Sequence, residues 1–219
     1  MTRLNELWPE FWNAAIETLY MAGFALLMGG ILGLLIGVIL YVSRPSGLMA
    51  NRAVAGVANF IVNFFRPIPF VIFIAVAQPL ARLVVGIGIG TTAGAFMIGL
   101  AAAFAIGRIV EQHLVAVSPG VIEAARSMGA GPWRILCTVA IPEALGGLIL
   151  GYTFIVVAII DMTAMAGLLG GGGLGAFAQI YGFRQFEPVV MWAAIVLIVI
   201  FVQAVQWLGD RFARHIMRR

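Results

Sequence analysis

The chain has 219 residues, 63% hydrophobic and only 10% charged, with 13 basic and 9 acidic side chains for a formal net charge of +4. A mean hydropathy of +1.08 excludes a soluble domain, because too few polar residues exist to cover a water-facing surface. Lipid must be the main solvent, and the pI near 10.0 reflects arginines at helix ends beside anionic headgroups, with no nucleic-acid partner expected.

In chain order, the leader carries Glu6, Glu10 and Glu17 in place of a basic patch, and the apolar run from Thr18 to Ser43 is too long for a secretory signal. It reads as a retained first helix, with a span over residues 15–42. Gly29, Gly33 and Gly37 recur every four residues along it, a small-residue face that lets helices approach closely in lipid. A second span is expected over 55–80, interrupted only by Arg66. There Arg66-Pro67-Ile68-Pro69 removes two amide donors and predicts a break or kink near the middle, tolerable only against protein or a watery cavity. A third span is expected over 84–112. A fourth, over 142–166, repeats the glycine spacing at Gly147 and Gly151, and a fifth covers 188–209. About 20 apolar residues cross the hydrocarbon as helix, and these runs lack the alternation of barrel strands. The expected fold is therefore an all-α polytopic membrane protein, a single domain of five transmembrane helices.

Five spans put the termini on opposite sides. With the C-terminus inside, the inner loops and tail hold Arg44, Arg52, Arg108, Arg126, Arg134, Arg211, Arg214, Arg218 and Arg219, against Arg3, Arg82 and Arg184 outside. Positive charge gathers in cytoplasmic loops, so the N-terminus is expected outside and the C-terminus in the cytoplasm.

Between the third and fourth spans lies the soluble-looking segment of the chain, residues 118–141. Ser118 and Pro119 suit a helix cap and first turn, and Gly129 suits its end. Gly131-Pro132 then opens a second short helix, which Pro142 is expected to end just before the fourth span. Ala124, Ala125 and Met128 offer a small, partly apolar face with Glu123 as its charge. Such a face fits a groove on a partner, or rests on the lipid surface as an ordinary amphipathic loop.

Arg66 and Asp161 are the charges deepest within the expected spans, each costing about 2.5–3.5 kcal/mol at a helix centre. Either each pairs with a neighbour or snorkels to an interface, or Asp161 lines a solute path. Met165, four residues on, shares its helix face.

Several chemistries are absent. All 13 basic residues are arginine, so no GxxxxGK[ST] phosphate loop exists and ATP hydrolysis must come from another chain. Gly170, Gly172 and Gly175 satisfy GxGxxG without the strand-turn-helix setting that a dinucleotide needs. Cys137 alone can form neither an internal disulfide nor a cysteine-only metal cluster, and its expected cytoplasmic site suits a reduced thiol. His113 and His215 are lone histidines near helix ends and read as interfacial. No catalytic residue, metal or cofactor is expected.

Glu123-Ala124-Ala125, then Gly129 after three residues, then Val139-Ala140-Ile141-Pro142 after nine more, closely resembles the EAA signature of ABC importer permeases. Isoleucine and leucine are usual where Val139 and Ile141 stand. The resemblance narrows to the methionine-importer permeases through Tyr41-Val42-Ser43-Arg44-Pro45, Arg66-Pro67-Ile68-Pro69-Phe70, Gly170 to Gly175, and Tyr181-Gly182-Phe183-Arg184-Gln185-Phe186. It implies a bacterial inner-membrane subunit whose coupling helix, with Glu123, Ala124, Ala125 and Gly129, docks in a cleft of a cytoplasmic ATPase subunit. It further implies two permease copies, two ATPase subunits and an external solute-binding protein. Met165 occupies the position of the methionine that closes the central gate, where a flexible apolar thioether suits a dewetted plug. Two departures stand out: Pro67 replaces a small polar residue, and Asp161-Met162-Thr163-Ala164-Met165 stands where glycine, tyrosine, serine, alanine and methionine are typical. Three alternatives remain open at this level: an importer permease for another amino acid or small solute, an ion-coupled transporter using Asp161, and a structural membrane protein assembled through its glycine faces.

Overall fold

The computed structural model describes residues 2–217, and these are almost wholly helical, with no strand among them. Arg218 and Arg219 of the basic tail lie outside the described residues. Helix α1 (Thr2–Glu6) leads into α2 (Trp8–Ser43), which has proline in its first turn and carries Glu10 and Glu17 on the helix itself. It stops where Arg44 precedes Pro45, because the proline ring forces the residue before it out of the helical region, here to φ −56°, ψ 157°.

Helix α3 (Arg52–Phe65) is capped by Asn51, whose Oδ1 accepts the N–H groups of Ala53 and Val54, each at 3.1 Å. After the break at Arg66–Pro69 the chain resumes as α4 (Phe70–Val85), bent by 115° from α3. The expected kink is thus a full change of direction. Four helices are long and apolar enough to cross a membrane, and the bent α3–α4 pair supplies a fifth unit if it counts as one span. Gly86 ends α4 in the left-handed region (φ 82°), and Gly90 (φ 114°) leads into α5 (Thr91–Val115). The third helix accordingly begins at Thr91, and the glycine turn takes up residues that the hydropathy alone merges with it.

The core is the contact between α2 and α5. A β-carbon on Gly29, Gly33 or Gly37 would lie 2.5 Å from the Gly99 carbonyl oxygen, Ile106 Cβ or Val110 Cβ respectively. The seam is reciprocal, since a β-carbon on Gly99 or Gly107 would lie 2.6 Å from Met28 or Ile36. Arg108 on α5 closes the next contact. It donates to Asn63 Oδ1 at 2.7 Å and Asn59 Oδ1 at 3.2 Å on α3, and pairs with Glu111 one turn on. The charge asymmetry counts Arg108 with the inner loops although the expected third span contains it; here it lies within α5, half-buried, and ties the broken helix to the core.

Helices α6 (Pro119–Ser127) and α7 (Pro132–Ile135) form the polar segment, and α8 (Ile141–Ala166) follows. Pro142 does not end a helix as its sequence position predicts. A wide turn over Leu136–Ala140, in which the Ile141 N–H reaches back to the Leu136 carbonyl, makes room for the proline ring, so helix runs unbroken from Pro132. On α8, Gly147 and Gly151 admit the His113 ring and Ile109 of α5, and Tyr152 donates to the Gly30 carbonyl of α2 at 2.7 Å. Another wide turn, Gly167–Gly171, leads to α9 (Gly173–Phe177), and α10 (Pro188–Met217) closes the chain with Gly209 against Thr153.

If the glycine seam carries the packing, Gly33→Ala lowers stability by about 1–3 kcal/mol, as overpacking does in a tight core. Gly23→Ala, on the same helix with nothing within 4 Å of its added carbon, leaves the thermal midpoint of the purified protein in detergent unchanged.

Candidate functional site

The polar segment is built as a rigid handle. Pro119 occupies the first turn of α6, and Ser118 sits at the cap position, although its side chain makes no capping hydrogen bond and only its carbonyl is used, by the Val121 N–H. At the far end Gly129 adopts φ 79°. Its N–H bonds to the Arg126 carbonyl at 2.9 Å while the Ala130 N–H bonds to the Ala125 carbonyl at 3.1 Å. This is a complete Schellman closure, which requires a left-handed residue and so favours glycine. Glu123, Ala124 and Gly129 are exposed. Ala125, expected on the outward face, instead points inward and is 3% exposed. The outward ridge is Val121, Ala124 and Met128, spaced i, i+3, i+7 on one face, with Met128 81% exposed. Ile135, Leu136 and Ala140 are buried and anchor the handle to the bundle. The sequence signals found this segment but not which alanine faces out, because a helix of nine residues has too few turns for its apolar pattern to fix its roll.

The second group lies on α8. Ile155, Ile159, Thr163 and Ala166 are buried against the rest of the chain, whereas Phe154, Asp161 and Met165 are exposed. Asp161 and Met165 thus share the face that this chain leaves uncovered. Among the described residues the ion pair formed is that of Arg108 with Glu111, so Asp161 is not neutralised by its own chain. Arg66 stands at the α3–α4 break, exposed, its N–H held by the Val62 carbonyl at 3.0 Å.

The glycine-rich stretch after α8 has a structural use. Gly170, Gly172 and Gly173 all have positive φ, between 76° and 89°. The chain is thereby turned so that the Gly173 N–H donates to the Glu17 carboxylate at 2.6 Å and the Leu174 N–H to Thr18 Oγ1 at 2.8 Å. A β-carbon on Gly172 would collide with Glu17, and one on Gly175 with Ala164. Glu17 and Thr18 therefore cap α9 from α2. Sequence reading treated Glu17 as part of an acidic leader and missed this. An acidic residue opening a long apolar run, with a polar glycine turn elsewhere in the chain, was the available signal. The loop beyond presents Phe183 and Phe186, the latter 89% exposed, and Arg3 of α1 donates to Gln185 at 2.6 Å. Among the described residues no group of histidine, cysteine and carboxylate side chains could hold a metal.

Residues 29–218 match the family model described as the binding-protein-dependent transport system inner membrane component. The probable D-methionine transport system permease protein MetI of Vibrio cholerae is 36% identical over 94% of this chain and 92% of its own length. The methionine import system permease protein MetP of Bacillus subtilis is 40% identical over 96% and 95% respectively. Among solved structures, the MetNI methionine ABC transporter in an inward-facing conformation superposes with a TM-score of 0.92 at 38% identity, covering 97% of this chain and 98% of that one. An amino acid ABC transporter with histidines shares the fold at a TM-score of 0.78 and 23% identity. With nearly its whole length matched and the same helical architecture, this chain belongs to the family of binding-protein-dependent transport system inner membrane components.

Proposed function

We propose that this chain is the membrane-spanning permease subunit of an ATP-driven importer that carries methionine across the bacterial inner membrane. The observation that carries the reading is the end-to-end likeness to permeases named for methionine transport, at 34–40% identity over nearly the whole chain in the fuller matches. Two copies of the chain would form the pathway, two cytoplasmic ATPase subunits would drive it, and an external binding protein would deliver cargo. Hydrolysis belongs to the ATPases, since this chain has no phosphate-binding lysine. The arginine asymmetry supports an outside N-terminus and a cytoplasmic C-terminus, which puts α6 on the ATPase side.

The coupling element in this reading is α6, with Glu123, Ala124 and Gly129 on its exposed surface and Ala125 holding its inner side. It joins the next helix through the turn at Gly129, and from Pro132 that helix runs unbroken to the stretch carrying Asp161 and Met165. A displacement of the handle by closing ATPases is thereby passed along one rod to the pathway face. Met165 serves as the gate, its exposed thioether meeting that of the second copy to exclude water until the rods part.

Purified permease and ATPase subunits in proteoliposomes, supplied with the binding protein, will accumulate labelled methionine only when ATP is hydrolysed. Equal uptake without ATP sinks the importer reading. In a Cys137→Ser background, Met128→Cys will form a disulfide with a cysteine in the ATPase cleft, and its yield will change with nucleotide, whereas Ala125→Cys, buried in its own chain, will not react. Met165→Ala will raise passive methionine leak through the resting complex while leaving ATP hydrolysis in place; a leak equal to wild type removes the gate role.

A further inference from the structure

We propose that the turn at residues 183–186 is the anchor on which the external binding protein docks. The Phe186 ring enters an apolar notch of that partner, and Arg184 faces carboxylates at the rim of the notch. The proposal rests on the importer reading and deepens it by naming the surface that meets the partner.

The wide turn Ala178–Phe183, which continues α9, is closed by the same device that closes α6. The Glu187 N–H bonds to the Gly182 carbonyl at 2.9 Å and the Phe186 N–H to the Phe183 carbonyl at 3.3 Å, a second Schellman closure. At α6 the left-handed position is held by Gly129. Here it is held by Phe186, whose φ of 54° makes it the one non-glycine residue with positive φ among the described residues. A bulky side chain in that conformation is strained, and glycine would relieve it. Packing within the chain does not offset the strain, because the ring is 89% exposed. Backbone outliers of this kind collect at functional sites, and what this ring meets lies outside its own chain. The turn stands at the end of α8 opposite α6, so a chain that meets ATPases through α6 presents Phe186 to the exterior. Arg184, Gln185 and Glu187 flank the ring in sequence, and charges belong in water, since hydrocarbon penalises them. The ring is thereby offered to a soluble protein and held away from acyl chains. An exposed aromatic beside an exposed arginine has the composition of an interface anchor, which docks where a partner supplies a pocket and opposite charge. The turn is also held in place. Arg3 donates to Gln185 at 2.6 Å, and beneath it Phe11, Leu174, Phe177 and Val190 form a buried cluster, with the Phe177 ring 5.5 Å from Phe11 and 5.1 Å from Tyr181. An anchor fixed in advance loses little freedom on docking.

The test is ATP-driven uptake of labelled methionine by proteoliposomes holding the permease–ATPase complex, titrated with the external binding protein. Phe186→Gly will raise the binding-protein concentration for half-maximal uptake about tenfold or more, as removal of an anchor residue does. Its thermal midpoint in detergent will stay at or above that of wild type, because glycine relieves the left-handed strain. Arg184→Glu will shift the titration the same way, and its effect will shrink at high salt. In a Cys137→Ser background, Phe186→Cys will react with a membrane-impermeant maleimide in the free complex and be shielded once the binding protein is added. An unchanged half-maximal concentration for Phe186→Gly overturns the proposal and leaves the importer reading intact. A midpoint below wild type would show that the ring packs within its own chain and would overturn it too. So would a cysteine at this position that is unreactive before the binding protein is added, the result expected if the ring lies in the bilayer. Should Phe186→Gly fail to assemble, Arg184→Glu and the labelling decide: no shift in the titration, or no protection, overturns the proposal. Absence of ATP-driven import by wild type instead removes the reading beneath it.

Discussion

The close approach of α2 and α5 is the contact on which the rest of this structure depends. In lipid there is no hydrophobic force to push helices together, so association relies on van der Waals contact at short range. Glycines on both helices provide it, with Gly29 and Gly99 meeting backbone to backbone and Ile106, Val110, Met28 and Ile36 filling the notches opposite. Once that pair is fixed, α8 can be laid against it through Gly147, Gly151 and the Tyr152 hydroxyl. On α8 this leaves a packed inner side and an uncovered stripe carrying Asp161 and Met165.

Polar groups inside the membrane are used sparingly and are mostly satisfied. Arg108 spends its donors on Glu111, Asn59 and Asn63, which fastens α3, set off from α4 by a 115° break, to the core. The Glu17 carboxylate and the Thr18 hydroxyl oxygen accept the first amides of α9, replacing the partners that irregular backbone lacks in lipid. These networks, with their acceptors and donors matched, rigidify the parts they join. Against that pattern Asp161 stands apart, a carboxylate on a long apolar helix without an ion-pair partner among the described residues.

The wide turn at Leu136–Ala140 connects the polar segment to α8. Without it, Pro142 would break the helix at the point where the polar segment joins α8. By lengthening one hydrogen bond to five residues, the chain carries a proline and keeps the rod continuous.

Composition and run length determined the class, the helical fold and the approximate number of hydrophobic units, because a bilayer admits few solutions for the backbone. The short signals at Ser118-Pro119 and Gly129 determined the extent of α6, since Pro and a left-handed glycine act locally and need no neighbours. The EAA spacing and its resemblance pointed to the family before any geometry was known. What the sequence left undecided were quantities set by neighbours far along the chain. The inward turn of Ala125 follows from the packing of α6 on α7 and the bundle. The employment of Glu17 depends on a glycine turn 156 residues away, and that of Arg108 on asparagines of α3. Whether Pro142 breaks a helix depends on the turn before it. Local chemistry sets where elements start and stop, but only tertiary contact sets which face of each is covered, and a side chain's role follows from the face it lies on.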